Sequence, residues 1–272
     1  IPVARISAVA AVAVGAYLVI HTQSAPRWRP LRPGVEFTTL RGEPYCRRGS
    51  AAIAVLRLDP AIARLKVLHY SLTREARPPG IVEWQRRTGA LAVFNAGQFY
   101  PDWSYMGLLV CSGKVVSDDL HPGFKAALVA APERGAPAIR VLDLTDDRVD
   151  ANAPGWREVA QSFMLIDRKG AVRVRKSDHV ANRTVVAEDR RGRILVLTTE
   201  GGYTLWDLAD WLRHAPLAVS HAMAMDGGYE AEMCVQTDDF RYASFGDWPA
   251  DASPVAPGAR TALPAVIAIE AE

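Results

Sequence analysis

Cysteine is scarce in this 272-residue chain: Cys46, Cys111 and Cys234 form no Cys-x-x-Cys motif and no Cys/His pair at ligand spacing. That excludes a zinc ribbon or a disulfide framework, both of which need clustered or evenly counted cysteines. An excess of one charge is missing as well. Lys and Arg number 32 against 30 Asp and Glu, a formal +2, which is too weak a field to argue for nucleic acid, and no nucleic-acid partner is predicted. The common site motifs are also absent. Gly107 to Lys114 imitates a P-loop, but five residues separate its glycines where the motif has four, and Val115 stands where Ser or Thr would hold Mg²⁺. There is no Gly-x-Ser-x-Gly, no His-Glu-x-x-His and no Gly-x-Gly-x-x-Gly after a strand, so serine-hydrolase, zincin and dinucleotide readings lose their support. The six histidines are scattered.

Apolar sequence is plentiful: 49% hydrophobic against 23% charged places the chain among globular proteins. Strand-rich folds run to about 250 residues as one domain, and one is expected here. The run Ile6 to Ile20 (ISAVAAVAVGAYLVI) carries no charge, with Arg5 before it and Arg27 and Arg29 soon after. As a helix it would reach about 22 Å, short of the ~30 Å hydrocarbon core but suited to a signal-peptide core. Residues 1–25 are read as a signal peptide or an N-terminal membrane anchor. Ser24-Ala25-Pro26 is a poor cleavage site, so both readings stand. Either one exports the remainder, as a periplasmic, membrane-anchored or secreted protein whose contact with the membrane runs through this segment. Trp28 to Gly34 (WRPLRPG) reads as a linker because its prolines stop a helix. Residues 26–50 are therefore taken as a lead-in to a domain at 51–272.

From Ala51 onward short β-type runs recur: Ile53 to Leu58, Leu65 to Tyr70, Ala90 to Phe94, Leu108 to Cys111, Ala126 to Ala130, Ile139 to Leu144 and a last strand at Ala262 to Ile269. Ser112-Gly113 and Arg191-Gly192 separate paired runs as hairpin turns. Two helices are predicted, Ile81 to Arg87 and Leu205 to His214, the second opening on Thr204 with Asp207 at capping-box spacing. The expected fold is α+β: a single domain with a mixed, largely antiparallel β-sheet core and a few covering helices.

Three polar segments interrupt the apolar strands. Phe94 runs straight into Asn95-Ala96-Gly97-Gln98, a fixed cation opens a strand at Asn182-Arg183-Thr184, and Ala222 to Met225 ends in Asp226-Gly227-Gly228. A carboxylate at a strand tip followed by two glycines is a common way to build a site, because glycine admits close backbone approach and offers N–H donors. Taken singly, each segment also reads as a turn or an edge charge.

Taken together and in order, the segments resemble the phosphodiester glycosidase family. Its members look like Asn-Gly-Gly-Phe-Phe, then Asn/Ala-Arg-Thr, a strand closing on an acid and glycine, a Thr-Leu-x-Glu/Asp-Leu-Ala helix, and Leu-Asp-Gly-Gly-Gly-Ser. Here those positions read Asn95-Ala96-Gly97-Gln98-Phe99, Asn182-Arg183-Thr184, Glu200-Gly201-Gly202, Thr204-Leu-Trp-Asp-Leu-Ala209 and Met225-Asp226-Gly227-Gly228-Tyr229-Glu230. The tail from Arg260 to Ala265 is similar to the family's closing strand. The likeness spans roughly Ala90 to Ala268 and is dense from Ala181 to Gly228. It departs from the family at Ala96, Gln98, Tyr229 and Glu230.

The resemblance implies a hydrolase that cleaves the bond between a sugar anomeric carbon and a phosphodiester oxygen, on a sugar-phosphate-containing small molecule or an envelope glycopolymer. It implies that Arg183 grips the phosphate in a fork, helped by the Gly227 and Gly228 amides. Asp226 would activate water or stabilise the oxocarbenium-like sugar, and Glu200 would be a second carboxylate. Asn95 and Gly97 would hold the substrate. No cofactor or metal is needed, and a divalent cation is compatible with the scheme. Two other classes remain open at this stage: a non-catalytic envelope glycan-binding module, and a phosphodiesterase that cuts P–O. Cys111 and Cys234, each shortly after a site segment, are the pair considered for a disulfide.

Overall fold

A computed structural model describes residues 25–136, 138–247 and 261–270. The apolar run at 6–20 and the Pro/Ala/Asp-rich stretch at 249–258 lie outside them. The elements in chain order are β1 (Arg29–Arg32), β2 (Val35–Arg41), β3 (Ala52–Leu58), β4 (Arg64–His69), α1 (Ile81–Thr88), β5 (Ala92–Asn95), β6 (Leu109–Cys111), β7 (Lys114–Ser117), β8 (Ala126–Pro132) and β9 (Ile139–Asp143). They continue with β10 (Trp156–Ile166), β11 (Arg183–Asp189), β12 (Ile194–Thr199), α2 (Leu205–His214), β13 (Val219–Gly227), β14 (Met233–Gln236), β15 (Arg241–Ser244) and β16 (Ala265–Glu270). The larger sheet runs β1-β2-β3-β12-β11-β13-β10-β6-β7, with β8 and β9 branching from β10, and the smaller runs β15-β14-β5-β16-β4. The expectation of a largely antiparallel core with few helices holds in that coarse form. The protein is mainly β, and every ladder between named strands is antiparallel.

Two buried layers explain why the central strands read as continuous apolar runs. In β11 and β12 one set of side chains (Val186, Ile194, Val196) faces the second sheet, and the alternate set (Val185, Ala187, Leu195, Leu197) lies under α2. A strand covered on both sides has no reason to alternate with polar residues. Helix α2 begins where its cap predicts, with Thr204 Oγ1 accepting from Asp207 N at 3.0 Å. It buries Leu208, Ala209, Trp211 and Leu212. The β6–β7 turn has Ser112 at φ 51 and Gly113 at φ 83, the double positive φ of a tight hairpin.

Three expectations change. The supposed linker at Trp28 to Gly34 is strand β1 and its turn, paired with β2 at the sheet edge. Its prolines forbid a helix, but an edge strand tolerates a missing N–H, so the domain includes residues placed before its expected start at 51. The longest strand, β10, had no separate prediction, since its Arg157, Glu158, Gln161 and Ser162 mask its apolar content. Finally, no disulfide joins Cys111 to Cys234: the first lies on β6 of the large sheet and the second on β14 of the small one, both as thiols.

Candidate active site

The site forms where β11 and β13 meet at one end of the large sheet. Arg183, first residue of β11, pairs in register with Gly227, last residue of β13, across a local register shift. This puts the guanidinium against a residue without a Cβ. A Cβ at Gly227 would sit 3.0 Å from both Arg183 Nη1 and the Asn182 carbonyl oxygen, so a larger residue there would press on the cation.

Arg183 is 8% exposed. Its Nε donates to the Tyr203 carbonyl at 3.0 Å and its Nη2 to the His179 carbonyl at 2.6 Å. That occupies the side edge of the guanidinium and leaves the end-on edge, Nη1 with the second hydrogen of Nη2, without a hydrogen bond among the described residues. A fork on an anion is therefore available from the end only. Burial lowers the guanidinium to about 10, with Asp226 acting in the opposite direction. Arg183 remains a cation at any physiological pH.

Asp226 is half-buried at the end of β13. Burial first, and the nearby Glu230 second, push its carboxyl up to about 7, against the Gly227 N–H, the Gln98 side chain and Arg183. The Gly227 N–H donates to Asp226 Oδ1 at 2.9 Å. Gln98 also accepts from Ser162 Oγ at 3.2 Å and donates to the Met225 carbonyl at 3.4 Å. A carboxyl with that balance exchanges a proton near neutral pH, as general acid–base chemistry requires.

The geometry shows what the other predicted site residues bond to within the protein. The two glycine amides assigned to the phosphate are spent within the protein: Gly227 N on Asp226, and Gly228 N on the Asn182 carbonyl at 3.0 Å. Gly97 N donates to Tyr105 Oη at 3.1 Å, and a Cβ there would lie 2.5 Å from the same oxygen. Gly97 is thus a close-approach position. Asn95 comes to the site but is wholly engaged. Its Nδ2 donates to the carbonyls of Ala96 (3.1 Å) and Asp226 (3.0 Å), and its Oδ1 accepts from Thr184 Oγ1 (2.7 Å) and Glu232 N (3.2 Å). It pins the small sheet to the tip of β13 and β11 and has nothing left for a sugar hydroxyl. Glu200 accepts from Ser50 Oγ and Tyr242 Oη, each at 3.1 Å. The carboxylate that acts on Asp226 is Glu230, on the 3₁₀ turn Gly228–Glu230.

The sequence reading missed Gln98, Glu230, Ser162 and the His179 carbonyl as parts of the site. A signal existed for two of them. Gln98 and Glu230 are positions where the chain departs from the family pattern, and both act directly on Asp226. Among the described residues no group of three or more His, Cys, Asp or Glu is placed to hold a metal ion.

The model of the phosphodiester glycosidase family matches residues 88–269. That is more than half of the chain. This chain belongs to the phosphodiester glycosidase family. It is accordingly a hydrolase of the phosphodiester glycosidase type, and the family match runs from β5 through β16 with Arg183 and Asp226 inside it. No curated protein matches. Among solved structures the fold is similar to the zebrafish N-acetylglucosamine-1-phosphodiester α-N-acetylglucosaminidase catalytic domain auto-inhibited by its pro-peptide, with TM-score 0.63 and 18% identity over 92% of this chain and 87% of that one. A hypothetical protein from Synechocystis aligns with TM-score 0.58 and 12% identity over 90% of this chain and 64% of that one. A putative exported protein from Burkholderia pseudomallei gives TM-score 0.51 and 12% identity over 85% and 76%. At these identities the likenesses establish the shared fold.

Proposed function

We propose that this family member is an exported hydrolase of a sugar-1-phosphodiester on an envelope or extracellular glycoconjugate, breaking the C–O bond of the sugar and using Asp226 and Arg183. The observation that carries this reading is the meeting of those two groups at the paired ends of β13 and β11. Water's oxygen bonds to the anomeric carbon, its proton passes to Asp226, and the C1–O electron pair stays with the phosphate oxygen. The products are a free sugar and a phosphomonoester. A phosphate leaves as an anion, so the reaction needs charge stabilisation at that oxygen more than the protonated acid an ordinary glycosidase supplies. In this reading the end-on edge of Arg183, which no protein group among the described residues occupies, provides it, a role worth about 3 kcal/mol for a well-aimed donor. Export is supported by the uncharged run Ile6 to Ile20, and fractionation of the producing cells tests it. Hydrolysis in oxygen-18 water is expected to put the label in the sugar. Label in the phosphate would mean P–O cleavage, and saturable sugar binding without turnover would mean a binding module.

With Asp226 as the base, turnover is expected to rise through about pH 7 and level off above it, because the ionised form does the work. Glu230→Gln removes the like charge that raises Asp226, so the rising limb should move to lower pH. An unmoved limb in a pH–rate profile would show that Glu230 does not act on the base.

Arg183→Ala is expected to lower both kcat and the melting temperature, since it strips a buried cation from the His179 and Tyr203 carbonyls. Arg183→Lys retains the charge but not the fork. It should recover part of the stability and little of the rate, measured as Tm and kcat on the same preparations.

A further inference from the structure

The Tyr105 hydroxyl stands between the two sheets. Its ring packs in the core that the sheets share, and the residue is 2% exposed. Oη donates to the Gln161 carbonyl of β10 in the large sheet at 2.8 Å, and accepts from Gly97 N, just past β5 of the small sheet, at 3.1 Å. The fit is close. A Cβ at Gly97 would lie 2.5 Å from Oη and 3.2 Å from both the Gln161 carbonyl oxygen and Ser162 Oγ. Burial pushes the phenol well above its ordinary value, so the hydroxyl keeps its proton and takes no part in acid–base exchange. It acts as a fixed donor on one side and a fixed acceptor on the other.

The segment it fixes carries Gln98, whose side chain bears on Asp226. The bonds of that side chain hold it weakly. Ser162 Oγ has one hydrogen and lies nearer the Ala224 carbonyl, at 2.7 Å, than Gln98 Oε1, at 3.2 Å. The bond from Gln98 Nε2 to the Met225 carbonyl is long, at 3.4 Å. The main chain supplies the restraint instead. Gly97 N rests on Tyr105 Oη, the Gln98 carbonyl accepts from Met106 N at 2.9 Å, and Phe99 forms a β-bridge with Tyr105. One dipeptide, Tyr105-Met106, thus holds the backbone on both sides of the Gln98 side chain. The other groups that act on Asp226 come from different elements: Arg183 on β11, the Gly227 N–H on β13 and Glu230 on the 3₁₀ turn.

We propose that Tyr105 is a positioning residue for the site: its hydroxyl sets where Gln98 stands against Asp226, without touching substrate. The part Asp226 plays in the reaction rests on the hydrolase reading above, whereas the positioning is measured without turnover. Carbon-13 NMR of the full chain, labelled at its aspartate carboxyls, follows the titration of Asp226 as the signal that Asp226→Asn removes. Gln98 favours the ionised carboxylate, so Tyr105→Phe, which keeps the ring and loses the hydroxyl, should move the midpoint to higher pH. Gln98→Ala should move it the same way, and the double variant no further than Gln98→Ala alone. Gly97→Ala presses a methyl group on Oη and should repeat the shift with the hydroxyl present. On a sugar phosphodiester, kcat of Tyr105→Phe at pH 7 should fall by about tenfold, with KM near the parent's. A lower Tm with an unmoved midpoint in both Tyr105→Phe and Gly97→Ala would make Tyr105 a structural residue only and overturn the proposal. Additive shifts in the double variant overturn it as well. A shifted midpoint in a chain that hydrolyses no sugar phosphodiester removes the hydrolase reading and leaves the positioning. An unmoved midpoint in an active chain does the reverse.

Discussion

Asp226→Asn is expected to cut kcat by about a hundredfold or more, the usual scale for losing a positioned acid–base group. Its effect on stability carries a sign that distinguishes this role from a structural one. The carboxyl stands at about 7 in the folded protein against an ordinary 3.8, so between those values the native state binds the proton and the unfolded state does not. Parent stability should therefore fall as pH rises from about 4 to 7 and change little from this source above 7. The asparagine variant has no carboxyl to ionise. It should lack that slope and melt at or above the parent temperature at pH 8, while showing almost no activity. Melting curves at pH 5 and pH 8 together with kcat on one substrate check both halves. An aspartate that only terminates a turn would give the opposite pattern: lost stability and retained activity.

Asn95→Ala should be the most damaging single substitution to the fold near the site. The side chain is 1% exposed and makes four hydrogen bonds to four different residues. Truncation leaves the Glu232 N–H and the Thr184 hydroxyl without their acceptor in a buried place. Each such orphan costs about 1–3 kcal/mol, which for a domain of this size moves Tm by roughly 5–15 °C in total. Because Nδ2 holds the Asp226 carbonyl, kcat should fall as well, without any contact between Asn95 and substrate. Asn95→Asp keeps the acceptor and loses both donors while burying a charge, so it should rescue nothing. A variant that changed KM alone, with Tm intact, would return Asn95 to the substrate-binding role the sequence resemblance implied.

How much of this could be read from sequence depends on the range of the interaction involved. The helix Leu205–His214 was legible because its signals are local: a threonine cap, an aspartate at capping-box spacing and apolar residues at 3.6 spacing. The hairpin turn at Ser112-Gly113 was legible because positive φ demands particular residues. Arg183 and Asp226 stood out as charges at the ends of apolar strands, and their order along the chain carried the family likeness. Strand β1 was not legible, since proline states that a segment is not helical and leaves edge strand and linker indistinguishable. β10 was hidden for a related reason: Glu158 and Gln161 are buried polar residues whose partners come from other strands. Glu158 accepts from the backbone of Val67 and Ser112, and Gln161 braces Leu108, His121 and Phe124.

The amino-acid sequence by itself determined the strand-rich class, both helices and the family, and it singled out Arg183 and Asp226 as candidates for the chemistry. Each of these depends on neighbours in the chain or on a fixed order of short motifs. Only the tertiary structure decided which groups the protein uses up on itself. Asn95 and the amides of Gly97, Gly227 and Gly228 look like ligand donors in sequence, but each bonds a protein group at the site. The sequence nominated Glu200 alone as the second carboxylate, whereas the fold bonds Glu200 to Ser50 and Tyr242 and sets Glu230 close enough to raise the Asp226 carboxyl. A side chain's hydrogen-bonding capacity is written in its type, whereas whether any of it remains for a substrate depends on what the rest of the chain brings within about 3 Å.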